Sequence, residues 1–286
     1  MTWIFASMLM FVCSVALYSF VRKSNLLKTP QQLNNLAMFL IPVFVYIFLS
    51  INGNVRFALK PFEYLLIIFQ GIFFSYLGNV FSLKGIELSP NPGYSLIISK
   101  SYVVFTAIAS VFLFNAPLTF KSIIAIILII AFSALIMVDK NKNKLKSNRL
   151  WLPYALGAFF CWGMLALSTK YLFNVGVPIL TRLIYSMIIV SFIILGEIKI
   201  KKIKVLNTNK AQIITLFFIG IFGTGFCYFM QVAINLSPNV GYVNAANAAS
   251  ISLLTLVSAF LFKDDLSAKK LLGIAGVTAG LFILFL

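Results

Sequence analysis

The chain has no histidine, three cysteines and six acidic residues in 286, and only 10% of it is charged. Each scarcity removes a class of function. Without histidine, and with Cys13, Cys161 and Cys227 far apart in the chain, neither metal-ligand spacing nor a disulfide framework can be read. No metal site is expected, and the cysteines read as small packing residues. No Gly-rich loop leads into a Lys-Ser/Thr pair, which argues against a nucleotide-driven pump and leaves no cofactor implied. The scarcity of charge is the most restrictive of these. At 61% hydrophobic residues and a mean hydropathy of +1.02, the chain cannot clothe a soluble domain in polar groups. It reads as an all-α integral membrane protein.

Ten apolar stretches, each long enough to cross a hydrocarbon core of about 30 Å as a helix, fall near 2–20, 34–51, 62–83, 92–114, 120–138, 151–172, 177–196, 211–234, 240–262 and 269–286. The first has no basic lead-in and recurs in mid-chain as 151–172, so it reads as a retained helix, not a cleaved signal. The net charge of +17 sits mostly between the spans, where it sets orientation, and no nucleic-acid partner is implied.

A phrase occurs twice: Ser89-Pro90-Asn91-Pro92-Gly93-Tyr94 and Ser237-Pro238-Asn239-Val240-Gly241-Tyr242. The offset of 148 positions also superposes Trp3 on Trp151, Cys13 on Cys161, Pro30 on Pro178, and Phe112-Leu113-Phe114 on Phe260-Leu261-Phe262. This register indicates a duplication, with residues 1–138 and 151–286 as five-span repeats joined by a basic linker, 139–150. Loops after odd-numbered spans hold 17 Lys and Arg against five on the other side, which places the linker in the cytoplasm and both termini outside. Arg56, Lys60, Lys121, Lys170 and Arg182 make up the five, and Lys100 belongs to neither side. Because each repeat has an odd number of spans, the second enters the membrane in the opposite sense. Inverted repeats of this kind recur in secondary transporters.

The short connection between spans three and four, the Phe-Leu-Phe ending span four, and the polar corner before Leu118-Thr119 or Leu266-Ser267 resemble the EamA family of the drug/metabolite transporter superfamily. The family pattern has an acid two places before Leu-Thr; Asp264 fits it and Ala116 does not. The resemblance implies ten transmembrane helices and a cavity lined by spans one, three, four, six, eight and nine. It does not name a cargo.

Lys100 is the costliest residue, since a lysine near the bilayer midplane costs at least about 2.5–3.5 kcal/mol. Either it snorkels or is neutral among Ser99, Ser101 and backbone carbonyls, or it meets an anionic group of a substrate. Its repeat-mate is Ala248, so the charge breaks the symmetry of the duplication. Asn244 and Asn247 share a face of span nine, and Ser99 is the repeat-mate of Asn247. These carboxamides read either as substrate contacts or as interhelical hydrogen bonds. Tyr76 with Asn79 and Tyr228 with Gln231 form two more polar pairs, with Trp162 and Tyr18 as aromatic walls. Tyr94 and Tyr242 are gates or interfacial anchors. The two glycine series, Gly71, Gly78, Gly85 and Gly273, Gly276, Gly280, read as close helix approaches.

No catalytic residues are read. The expectation is a secondary transporter of a small polar metabolite, such as an amino acid or organic anion, in a bacterial cytoplasmic membrane, working as monomer or homodimer among membrane lipid. The rival readings are a flippase for a lipid-linked anionic headgroup and a membrane-embedded enzyme.

Overall fold

A computed structural model describes residues 1–53, 55–89, 92–138, 149–203 and 208–286. Most of the linker, with four of its lysines, lies outside this set, as do Lys204 and the Pro90-Asn91 of the first repeated phrase. Every regular element among the described residues is helical. Ten helices are long and apolar enough to cross a membrane: α1 (Trp3–Leu26), α2 (Gln31–Ile51), α3 (Pro61–Leu88), α4 (Gly93–Phe114), α5 (Phe120–Met137), α6 (Trp151–Asn174), α7 (Ile179–Ile200), α8 (Lys210–Leu236), α9 (Val240–Phe262) and α10 (Ala268–Phe285). Phe112 and Phe260, equivalent residues of the two Phe-Leu-Phe runs, are 81% and 85% exposed and point away from the bundle. An apolar surface of that kind belongs in lipid.

The 148-position offset reappears in the backbone. Helices α1, α2 and α5 begin 148 positions before α6, α7 and α10. The residues in left-handed conformation recur as well: Lys28 matches Gly176, and Asn115, which ends α4, matches Lys263, which ends α9. One pair of helices departs from the offset. The N-caps of α3 and α8, Lys60 and Asn209, are 149 positions apart, whereas their C-caps, Ser89 and Ser237, are 148 apart. The extra residue of α3 is absorbed where the helix widens into a π turn over Gln70–Tyr76. The loop before α3 is one residue shorter, so the gapless register conceals a compensated shift. A second discontinuity also lies in the first half: α4 is interrupted at Ser101, between segments Pro92–Lys100 and Tyr102–Phe114, while α9 is unbroken.

Packing partners exchange in pairs. Helix α1 lies against α8 as α6 lies against α3, α1 touches α9 as α6 touches α4, and α2 meets α8 as α7 meets α3. Helices α2 and α7, α4 and α9, and α5 and α10 pair across the halves. Small residues allow the close approaches. Gly78 packs against Cys161, and Gly225 against Cys13. On α10, Gly273, Gly276 and Gly280 face Ile136, Phe132 and Ile129 of α5, where a Cβ at Gly276 would collide with the Phe132 ring.

The second repeated phrase forms the joint between α4 and α9. Asn239 caps α9 by accepting from Gly241 N at 2.8 Å, and its amide donates to Ala107 O at 3.1 Å and Pro117 O at 3.2 Å. The Tyr242 hydroxyl also donates to Pro117 O, at 2.9 Å. A Cβ at Gly241 would run into Ala107, backbone included, so only glycine permits this crossing. At the opposite end of the bundle, Arg22 of α1 pairs through both terminal nitrogens with Asp264, after α9, and its guanidinium lies 4.8 Å over the Phe262 ring.

Candidate functional site

An apolar bundle tolerates buried polar groups only when they are paired, so unpaired ones mark where something else belongs. The most costly is Arg182. It lies in the first turn of α7 and is 4% exposed; on the same helix Thr181 Oγ1 donates to Arg56 O at 2.7 Å and the Tyr185 hydroxyl to Phe57 O at 3.2 Å, tying the segment before α3 to α7. A terminal guanidinium nitrogen donates to Gln70 Oε1 at 3.1 Å, while Arg182 Nε and Gln70 Nε2 have no acceptor. Gln70 is fully buried and opens the π turn of α3, so the irregular backbone and the buried charge coincide. π turns inside α-helices are frequent at functional sites. Ion pairs among the described residues are Arg22–Asp264, Lys201–Glu197 and Lys270–Asp265, and none of them includes Arg182.

Cys227 of α8 lies within electrostatic reach of Arg182 and also of Tyr18 in α1 and Tyr46 in α2. Tyr18, 39% exposed, lies in turn near Tyr102 of α4, whose phenol lies near the Asn247 side chain of α9. Side chains from α1, α4, α7, α8 and α9, with Gln70 of α3, are thus linked by short steps across the two halves. Asn244 donates to Thr106 Oγ1 of α4 at 3.0 Å, leaving its own Oδ1 without a partner, and buried Gln231 has an unpaired Oε1. One Asn244 group therefore makes an interhelical bond and the other remains free.

Several anticipated residues lie elsewhere. Lys100 lines a narrow crevice between α4, α5 and α9, with Ile97, Ile130, Ser133, Ala134, Met137 and its repeat-mate Ala248. It has no hydrogen-bond or ion-pair partner among the described residues. Ser99 Oγ donates to Leu96 O at 3.1 Å within its own helix. The Tyr76 hydroxyl reaches Glu197, which also accepts from Gln32 at 3.0 Å and Lys201 at 2.6 Å near the end of α7. Tyr228 packs against Tyr46 at 6.4 Å and Trp162 lies over Gly78, while Asn79 is part-buried on α3. Tyr94 is 44% exposed, whereas Tyr242 is buried 6.0 Å from the Trp3 ring and bonded at the α4–α9 joint.

Residues 149–286, running from just before α6 to the end of α10, match the EamA-like transporter family. The second half of the chain is thus an EamA unit of the drug/metabolite transporter superfamily. The chain is a multi-pass membrane transporter of that type. A crystal structure of a protein, 13% identical, superposes with a TM-score of 0.82 over 98% of this chain and 95% of its own, which extends the fold to both halves. At that identity the likeness speaks for the fold alone. No curated protein matches the chain.

In the sequence Arg182 stands among the loop charges flanking span seven, which hides its burial. A signal was present: its repeat-mate Asn34 is also polar, also in the first turn of its helix, and 3% exposed. A polar residue at the same early helical position in both copies marks a buried site better than a snorkelling flank. Asn34 is satisfied locally, accepting from Ser24 Oγ at 2.5 Å and donating to Asn25 Oδ1 at 3.4 Å. Arg182 is not, and that difference between the halves singles it out.

Proposed function

We propose that the chain is a secondary transporter of a small polar metabolite, such as an amino acid or organic anion, in a bacterial cytoplasmic membrane. The reading takes 1–138 and 151–286 as five-helix units of opposite orientation, joined by 139–150, with substrate held between them. The observation that carries it is the exchange of packing partners between halves around incompletely paired polar side chains at Arg182, Gln70, Gln231 and Asn244. Two similar halves in contact through matched helices can rock about a shared site and open it to either face. The Arg22–Asp264 pair holds the halves together at one end and the Asn239 joint at the other.

Within this scheme Tyr18, Asn247, Asn244 and Gln231 face substrate, Tyr228 and Trp162 supply apolar walls, and the discontinuities of α3 and α4 mark where backbone rearranges. Lys100, Ser99, Tyr76, Asn79 and the gates Tyr94 and Tyr242 remain candidates tested by substitution. The experiment is a thermal-shift screen of purified protein against amino acids, organic acids and nucleotides, repeated on Lys100→Ala. A bound substrate raises the apparent stability by mass action. A stabilising metabolite that is also moved across liposomes supports the reading, and movement of a lipid-linked headgroup in place of a free metabolite would favour the flippase.

A further inference from the structure

The geometry assigns Arg182 and Gln70 a carboxylate-binding role: we propose that the carboxylate of the transported solute docks on Arg182 Nε and Gln70 Nε2. The inference rests on the transporter reading and names the chemistry of its site. Both atoms are donors, both are buried, and neither has an acceptor. The Gln70 amide cannot relieve this by flipping, because its oxygen already accepts from the guanidinium at 3.1 Å and a flip would set donor against donor. What is missing is therefore a group that only accepts, carries negative charge, and offers two oxygens to neighbouring donors. A carboxylate meets all three requirements, and a guanidinium matches its planar fork. No described carboxylate takes that place.

Lys100 is the weaker anchor. Its crevice is lined chiefly by apolar side chains and includes the outer helix α5, and the one unpaired buried group that shares it, the Ser133 hydroxyl, is neutral and can accept as well as donate. The π turn gives Gln70 a means of adjustment, since it can revert toward regular helix and move the amide relative to α7. In the conformation seen here both donors are buried, so binding requires the packing around them to open.

The test compares melting temperatures of wild type, Arg182→Gln, Gln70→Glu and Lys100→Ala in sodium propionate, propionamide, sodium phosphate and sodium chloride at matched ionic strength. Propionate should raise the melting temperature of wild type and of Lys100→Ala, with propionamide and chloride ineffective. Arg182→Gln should weaken the apparent affinity by about 30-fold or more, the usual cost of removing one partner of a buried charge pair. Gln70→Glu, which supplies an internal carboxylate, should melt higher than wild type in chloride and lose the propionate response. That variant keeps the proposal falsifiable where Arg182→Gln does not fold. An equal response in Arg182→Gln, a response lost in Lys100→Ala alone, stabilisation by phosphate or chloride in place of propionate, or the absence of any response overturns the assignment. Counterflow in liposomes separates the two claims. Solute movement indifferent to Arg182 leaves the transporter standing without this site, and an Arg182-dependent response without movement does the reverse.

Discussion

Replacing Asn239 separates a local helix cap from a joint between halves. The side chain is 1% exposed and performs both tasks, accepting from Gly241 N and donating to Ala107 O and Pro117 O. Asn239→Ala removes a cap contribution of about 1 kcal/mol. It also removes two amide donations, each worth about 0.6 kcal/mol on average between membrane helices. Pro117 O keeps its bond from Tyr242, so no large desolvation cost is added there. The total is about 2 kcal/mol, a fall in melting temperature on the order of 5 °C. Asn239→Asp is the discriminating variant, because aspartate is as good a cap as asparagine but sets a buried carboxylate against two carbonyl oxygens. It should be at least as destabilising as alanine. The assay is thermal unfolding in detergent, followed by circular dichroism, for both variants. An aspartate variant as stable as wild type would reduce Asn239 to a cap and refute the joint.

Three further outcomes follow. Asp264→Ala removes a pair whose partners are 39% and 33% exposed, so screening limits its worth to about 1 kcal/mol or less. In a background with Cys13, Cys161 and Cys227 changed to alanine, Tyr18→Cys should then react up to about fivefold faster with a membrane-impermeant maleimide, and an unchanged rate would deny that this pair closes the end of the bundle. Gly276→Ala should cost about 1–3 kcal/mol by overpacking Phe132, and adding Phe132→Ala should cost less than the sum of the two changes. A reporter fused after Leu286 should lie outside the cytoplasm, and a cytoplasmic signal would overturn the orientation taken from loop charge.

The helices were legible because membrane spans announce themselves by length and hydropathy, and the 148-position offset was legible because Trp, Cys, Pro and Phe-Leu-Phe recur in one register. The offset even anticipates backbone detail, as at Asn115 and Lys263. The π turn of α3 was not legible, since a one-residue insertion balanced by a shorter loop leaves the register of the repeated phrases untouched. Lys100 stood out because it interrupts an apolar run, whereas Arg182 lies one turn into its helix, where charges ordinarily reach water. Only the fold shows it buried. Gln70 could not be ranked above other polar residues without knowing that α7 sets a guanidinium beside it. In its second copy the repeated phrase is a hydrogen-bonded crossing of α4 by α9, with Tyr242 turned inward.

The central claim, passive movement of a small polar solute through a site between two halves, is tested most directly by counterflow. Purified protein in sealed liposomes, preloaded with a mixture of amino acids and organic acids and given no nucleotide, is exposed to trace labelled solutes outside. Transient accumulation of at least one labelled solute above its external concentration, absent from protein-free liposomes, is the result predicted. Accumulation only when ATP is supplied, or none across the panel while the protein remains folded, would contradict it.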